Sequence, residues 1–198
     1  MTILAIDTAS DRFAVAVDRD GRIDSLEADA GLDHSRLLLP AITQLLGEDR
    51  LEGIVVVTGP GAYAGVRVGI ATAEGLALAR AVPVHGIGTL EAVALAAGIT
   101  AGTVIHPAGR GEFAAQDVVD GVPAGSPRIA RAEDLREGVA GEGAGAAGGR
   151  EVTPRERCEA ALRARAGAIR AGAPAAGIEA FYLREPSITI SRRKAAAP

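Results

Sequence analysis

The sequence predicts an α/β protein with a mixed sheet and flanking helices, followed by a shortened second half of the same kind. Three observations carry this expectation. The chain opens with three short β-rich runs joined by tight turns. It then alternates helix, strand, helix, strand, helix. Past residue 103 the strand-and-hairpin pattern restarts with weaker signals. Of its 198 residues 48% are apolar, enough to cover both faces of a sheet.

The first run, 2–8, is short, apolar and ends in Asp7-Thr8; 13–17 is rich in β-formers; Asp18-Arg-Asp-Gly21 supplies a turn, and 22–27 returns as a third strand. A helix is predicted from His34, with Asp33 as its N-cap and Gly47 as its stop. Ile54-Val-Val-Val57 is a β-branched run of the kind buried on both faces. The glycine-rich turn 59–65 leads into a helix ending near Ala81, followed by a strand at 83–86 and a helix at 89–97. The order of three strands, helix, strand, helix, strand, helix is that of the ribonuclease-H-like half-domain which the actin-like ATPase fold uses in duplicate. It is a fold-level analogy that leaves function open.

In the second half, 103–106 and 112–119 are predicted as paired strands, 131–137 as a short helix and 155–170 as a longer one. The glycine- and alanine-rich stretch 141–149 reads as a loop, and the basic stretch after Pro186 as a frayed end. The expected division is 1–102 for the first domain and 103–198 for a smaller second one.

A formal charge of −4, from 21 basic and 25 acidic residues, gives no global footprint for nucleic acid. The single cysteine, Cys158, excludes an internal disulfide framework. With no leader-like n-region or membrane-length apolar run, the expectation is a cytoplasmic chain without membrane contact. Cys158 lies beside Arg155 and Arg157, which would lower a thiol's pKa, although a packed cysteine is the default.

The motifs mostly exclude chemistry. Actin-like ATPases carry Asp-x-Gly-Thr/Ser in the first hairpin; here Asp7-Thr8-Ala9-Ser10 places a Cβ where glycine lets backbone amides reach phosphate. His34 has Leu37 and Leu38 where a helical metal pair needs a second ligand. Gly143-Ala-Gly145-Ala-Ala-Gly148 matches a dinucleotide pattern, but no helix opens directly after it; Gly59–Gly65 lacks the Lys-Ser/Thr of a Walker loop. No catalytic, cofactor or metal residues are therefore assigned.

The positive signal is a surplus of packing surface on two helices. Apolar positions on 37–46 cover ~200° of the helix, against the ~100° stripe that a core-facing helix uses. The next helix carries small residues Gly65, Gly69, Ala73 and Ala77 at four-residue spacing. Either that row lets a partner's backbone come close or it faces the protein's own sheet; partner contact is the expectation. The expected interface comprises His34, Ser35, Leu38, Leu39, Ile42 and Leu45 on the first helix. On the second it comprises Gly65, Val66, Arg67, Gly69, Ile70, Ala73, Leu76 and Ala77.

Leu4-Ala-Ile-Asp-Thr-Ala9, His34-Ser35 with Leu39-Pro40, and Gly59-Pro-Gly-Ala-Tyr-Ala-Gly-Val-Arg-Val-Gly69 resemble the TsaB (YeaZ) family. The last keeps the family's Gly59, Pro60, Gly61, Gly65, Arg67 and Gly69, with Ala62, Tyr63 and Ala64 in place of Ser, Phe and Thr. Gly86-Ile-Gly-Thr-Leu-Glu-Ala-Val-Ala94 and Tyr182-Leu-Arg184 extend the resemblance, as do Gly141-Glu-Gly-Ala144 and Ala108-Gly-Arg-Gly-Glu-Phe113, the latter with Pro107 and Gly109 replacing Asp and Arg. The resemblance implies a non-catalytic dimerisation subunit of the bacterial tRNA threonylcarbamoyladenosine machinery. Such a subunit supports a TsaD-like catalytic partner alongside a TsaE-like ATPase, pairs through its first two helices, also as a homodimer, and makes no direct tRNA contact. Alternatives are a small-molecule kinase or ATPase of the actin-like superfamily, or a glycoprotease-like metallopeptidase.

Overall fold

The computed structural model describes residues 1–135 and 138–183. The basic stretch around Arg192-Arg-Lys194 lies outside them. Strands β1 (Thr2–Asp7), β2 (Arg12–Arg19) and β3 (Arg22–Asp29) form an antiparallel meander. Helix α1 (His34–Leu46), β4 (Leu51–Val57), α2 (Tyr63–Arg80), β5 (Val84–Ile87) and α3 (Thr89–Ala97) follow. β4 and β5 join parallel to β1, giving the order β3-β2-β1-β4-β5.

The second half repeats that sheet strand for strand. β6 (Ala101–Gly109), β7 (Glu112–Val119) and β8 (Val122–Arg131) form the meander, and β9 (Val139–Gly141) and β10 (Arg150–Glu151) are parallel additions, in the order β8-β7-β6-β9-β10. The shortening falls on the crossovers. Where the first half has α1 and α2, the second has single 3-10 turns at Ala132–Asp134 and Ala144–Ala147. Among the described residues of the second half, only the closing helix, α4 (Pro154–Arg170), is full length.

Three sequence expectations change here. The helix expected over 131–137 begins on the last residue of β8 and continues as one 3-10 turn, with 136–137 outside the described residues. β8 itself was hidden because Val122-Pro-Ala-Gly-Ser-Pro127 reads as a loop; as an edge strand it tolerates both prolines. The loop expected over 141–149 holds the end of β9 and a 3-10 turn pinned by Glu151, whose carboxylate accepts from the Gly143 and Gly145 amides at 2.8 and 2.9 Å. Finally, Asp33 makes no side-chain cap; its carboxylate pairs with Arg36 at 2.9 Å.

α1 and α2 lie side by side against the first sheet. α4 crosses from the second half and packs on β1, β2 and β4, with the Ile169 side chain over Gly53. Every residue of β1 after Thr2 is buried, as a strand covered on both faces requires. α3 makes the reciprocal crossing, onto β6, β8 and β9. α4 starts with a full capping box: the Thr153 hydroxyl accepts from the Glu156 amide, and Glu156 accepts from the Thr153 amide at 2.8 Å, with Pro154 in the first turn.

Candidate functional site

The turn after β1 is where an actin-like ATPase would hold phosphate and metal, and here its charges are committed internally. Asp7 is fully buried. One carboxylate oxygen accepts from the Ala9 amide at 2.9 Å. The other accepts from Nε of Arg157 at 2.9 Å. Arg157 is itself fully buried; its remaining nitrogens donate to Glu142 at 2.6 Å and to the Ser10 hydroxyl at 3.3 Å. One side chain from α4 thus ties the first phosphate-loop position to the turn after β9. A buried guanidinium between two carboxylates stays charged; Asp7 and Glu142 hold its pKa up against the opposing effect of burial.

His106, on β6, lies beside this cluster and is fully buried. Its Nε2 is 3.0 Å from the Ala9 carbonyl, so Nε2 carries the proton. Burial, and then the Arg157 charge, push its pKa down to about 4, which keeps it neutral near neutral pH. Ala9 is the meeting point: its carbonyl also accepts from the Ala62 amide at 2.6 Å, and its methyl group is buried. Beside the cluster, a cavity of about 630 Å³ opens between the turns 9–11, 60–63 and 107–110, with Tyr182 at one wall. The ring of Tyr182 lies tilted against that of Tyr63, their centroids 4.8 Å apart.

Cys158, next to Arg157 in sequence, points into the core. Burial, followed by the nearby Asp7 charge, pushes its thiol well above its usual range, opposite to the lowering expected from its arginine neighbours. Arg157 and Glu142 were missed by sequence reading. A signal existed: Arg157 falls on the apolar stripe that carries Cys158, Ala161 and Leu162, where an arginine needs a buried partner.

The interface residues divide by burial. On α1, His34, Leu38 and Ile42 are core; His34 closes on the Ser10 carbonyl at 2.9 Å, a structural role. Leu45 is half-buried, and Ser35 and Leu39 are exposed. On α2, Gly65, Val66, Gly69, Ile70 and Ala73 are buried, and Leu76 and Ala77 half-buried. The small-residue row is therefore the face turned to the protein's own sheet. A Cβ at Gly65 or Gly69 would run into Thr8, so the glycines let α2 settle on the end of β1. Of the α2 residues expected at an interface, Arg67 alone is exposed, its guanidinium over the Tyr63 ring at 5.3 Å. The apolar excess that does face outward is Leu39 on α1 and Leu78 on α2, with Leu32 ahead of α1.

Among the described residues no group of three or more His, Cys, Asp or Glu side chains could hold a metal ion, and no helix is long and apolar enough to cross a membrane.

A duplicated ribonuclease-H-like sheet with the first-hairpin aspartate at the junction defines a protein of the actin-like ATPase fold. The comparisons narrow that class. A family model described as TsaD, tRNA N6-adenosine threonylcarbamoyltransferase, matches residues 28–122. The chain is 34% identical over 99 residues to the tRNA threonylcarbamoyladenosine biosynthesis protein TsaB of Escherichia coli, a match covering 48% of this chain and 43% of that one. To the protein of the same name from Bacillus subtilis it is 36% identical over 103 residues, 48% of this chain and 44% of the relative. These matches thus span less than half of each curated relative. In three dimensions the chain is similar to YeaZ from Pseudomonas aeruginosa, with a TM-score of 0.73 and 26% identity over 92% of this chain and 99% of that one. The chain is thus similar to the TsaB (YeaZ) proteins in sequence over its first half and in fold over nearly its whole length.

Proposed function

We propose that this chain is a non-catalytic, cytoplasmic subunit required for threonylcarbamoylation of the adenosine next to the anticodon in tRNAs reading ANN codons. It acts by pairing with a TsaD-like catalytic subunit, together with a TsaE-like ATPase, and has no direct tRNA contact of its own. The observation that carries this reading is the internal use of Asp7. With one oxygen on Ala9 and the other on buried Arg157, the carboxylate that would place a metal in an ATPase of this fold is already neutralised. The names of the relatives supply the pathway.

In this reading the first half, 1–102, carries the contact surface, for a homodimer as for the TsaD-like partner. The surface is the exposed side of α1 and α2: Ser35, Leu39, Arg67 and Leu78, with Leu45, Leu76 and Ala77 at its margins. The buried members of the predicted interface support that surface from beneath. Co-purification of the tagged chain with the TsaD-like protein of its own host tests the pairing. The expected outcome is a complex that Leu39→Glu combined with Leu78→Glu disrupts while the circular dichroism spectrum is retained. Capture unaffected by both changes would remove α1 and α2 from the interface; magnesium-dependent ATP binding by the isolated chain would instead favour the kinase or ATPase reading.

A further inference from the structure

The cavity beside Ala9 holds an unmet hydrogen-bonding demand. Because Nε2 of His106 donates to the Ala9 carbonyl, Nδ1 of the neutral ring is a bare acceptor, and among the described residues it has no partner although it is buried. A second acceptor, Oε2 of Glu142, lies 3.8 Å from it. A buried acceptor without a donor costs about 1–3 kcal/mol, so such groups persist where something else satisfies them. Charge points the same way. Asp7 and Glu142 face one guanidinium, which among the described residues leaves the cluster with one negative charge in excess beside a neutral imidazole. Glu142 is the partly exposed member and, with His106, lines the cavity.

We propose that this cavity binds a small primary ammonium whose N–H groups donate to Nδ1 of His106 and to the Glu142 carboxylate. A nitrogen about 2.9 Å from each acceptor can bridge atoms at that separation, and a single positive charge balances the cluster. A neutral hydroxyl could fill one acceptor but would leave the charge. A quaternary ammonium would match the charge but carries no N–H. The remainder of the ligand lies against Pro60, Pro107 and the Tyr63–Tyr182 pair, which favours a compact body of a few carbons. The ammonium can come from a free amine or from an α-amino acid, whose carboxylate would then have Arg110 at the cavity wall.

The test is titration of the full chain with ethanolamine, L-alanine and tetramethylammonium, followed by the ¹⁵N signal of His106 Nδ1. Ethanolamine or L-alanine is expected to shift that signal saturably in the millimolar range, with tetramethylammonium inert. Binding of L-alanine alone identifies the amino-acid source, and of ethanolamine alone the simple amine. Glu142→Gln, which keeps an acceptor for Arg157, should weaken binding at least tenfold. A shift that does not saturate, or one that tetramethylammonium reproduces, overturns the proposal. Because this readout needs neither tRNA nor a protein partner, its failure would leave the pairing with a TsaD-like subunit untouched.

Discussion

The two halves share one strand order and differ in what covers it. The first sheet has α1 and α2 packed against it and α4 lent by the second half; the second has α3, lent by the first, and two 3-10 turns. The hydrophobic interior follows that difference. One large cluster runs through the first sheet and takes in Cys158, Ala161, Leu162, Ala166 and Ile169 of α4, whereas the second sheet holds two small clusters. A sheet can therefore survive the loss of its crossover helices when a neighbouring unit covers a face. The exchanged helices then make each half part of the other's core. Arg157 is the polar counterpart of that exchange, joining Asp7 of the first half to Glu142 of the second.

The sharpest way to break the comparison is Arg157→Leu. It leaves Asp7 buried and uncompensated, and should cost about 3–5 kcal/mol in urea unfolding. Adding Asp7→Leu should recover part of that loss, because a well-packed apolar pair can replace a buried ion pair. Retention of full stability by the single variant would mean that the two halves do not depend on this contact.

The next effect is on pH dependence. The His106 pKa falls from an ordinary 6.5 to about 4 in the fold, through burial and the Arg157 charge. The unfolded chain therefore binds the proton first. The contribution to stability is complete above pH ~6.5, declines as the pH drops toward ~4 and levels off below, a total of about 3 kcal/mol. Glu142, Asp7 and the Ala9 carbonyl face the same ring and pull its pKa upward, so they moderate the effect. In His106→Gln the pH slope of stability between those limits should flatten by that amount, as measured by urea unfolding at a series of pH values.

Smaller still is a paired test on α2. Gly69→Val drives a side chain into Thr8 and should destabilise by about 1–3 kcal/mol. Gly75→Ala, in open space on the same helix, should stabilise by up to about 1 kcal/mol. Thermal unfolding reads both. Equal effects would mean that the small-residue row does not lie against the sheet.

The local chemistry of the sequence was enough for the first half. Its β-branched runs, turn residues and helix stops placed β1 to β5 and α1 to α3 within a residue or two, save that β4 begins at Leu51, three residues before the predicted run, because each signal acts over a few neighbours. It also showed a Cβ at Ala9 where a phosphate loop of this fold carries glycine. What the tertiary structure alone decided were questions of partnership. Apolar periodicity shows that a helix has a face to bury, but not whether its own sheet or another chain buries it. The Gly65–Gly69–Ala73 row was settled by the proximity of Thr8, and β8 by its place at an edge where prolines lose nothing. The cluster of Asp7, Ser10, His106, Glu142 and Arg157 joins residues up to 150 positions apart. No spacing rule reaches that far; only the crossing of α4 onto the first sheet puts the guanidinium beside the aspartate.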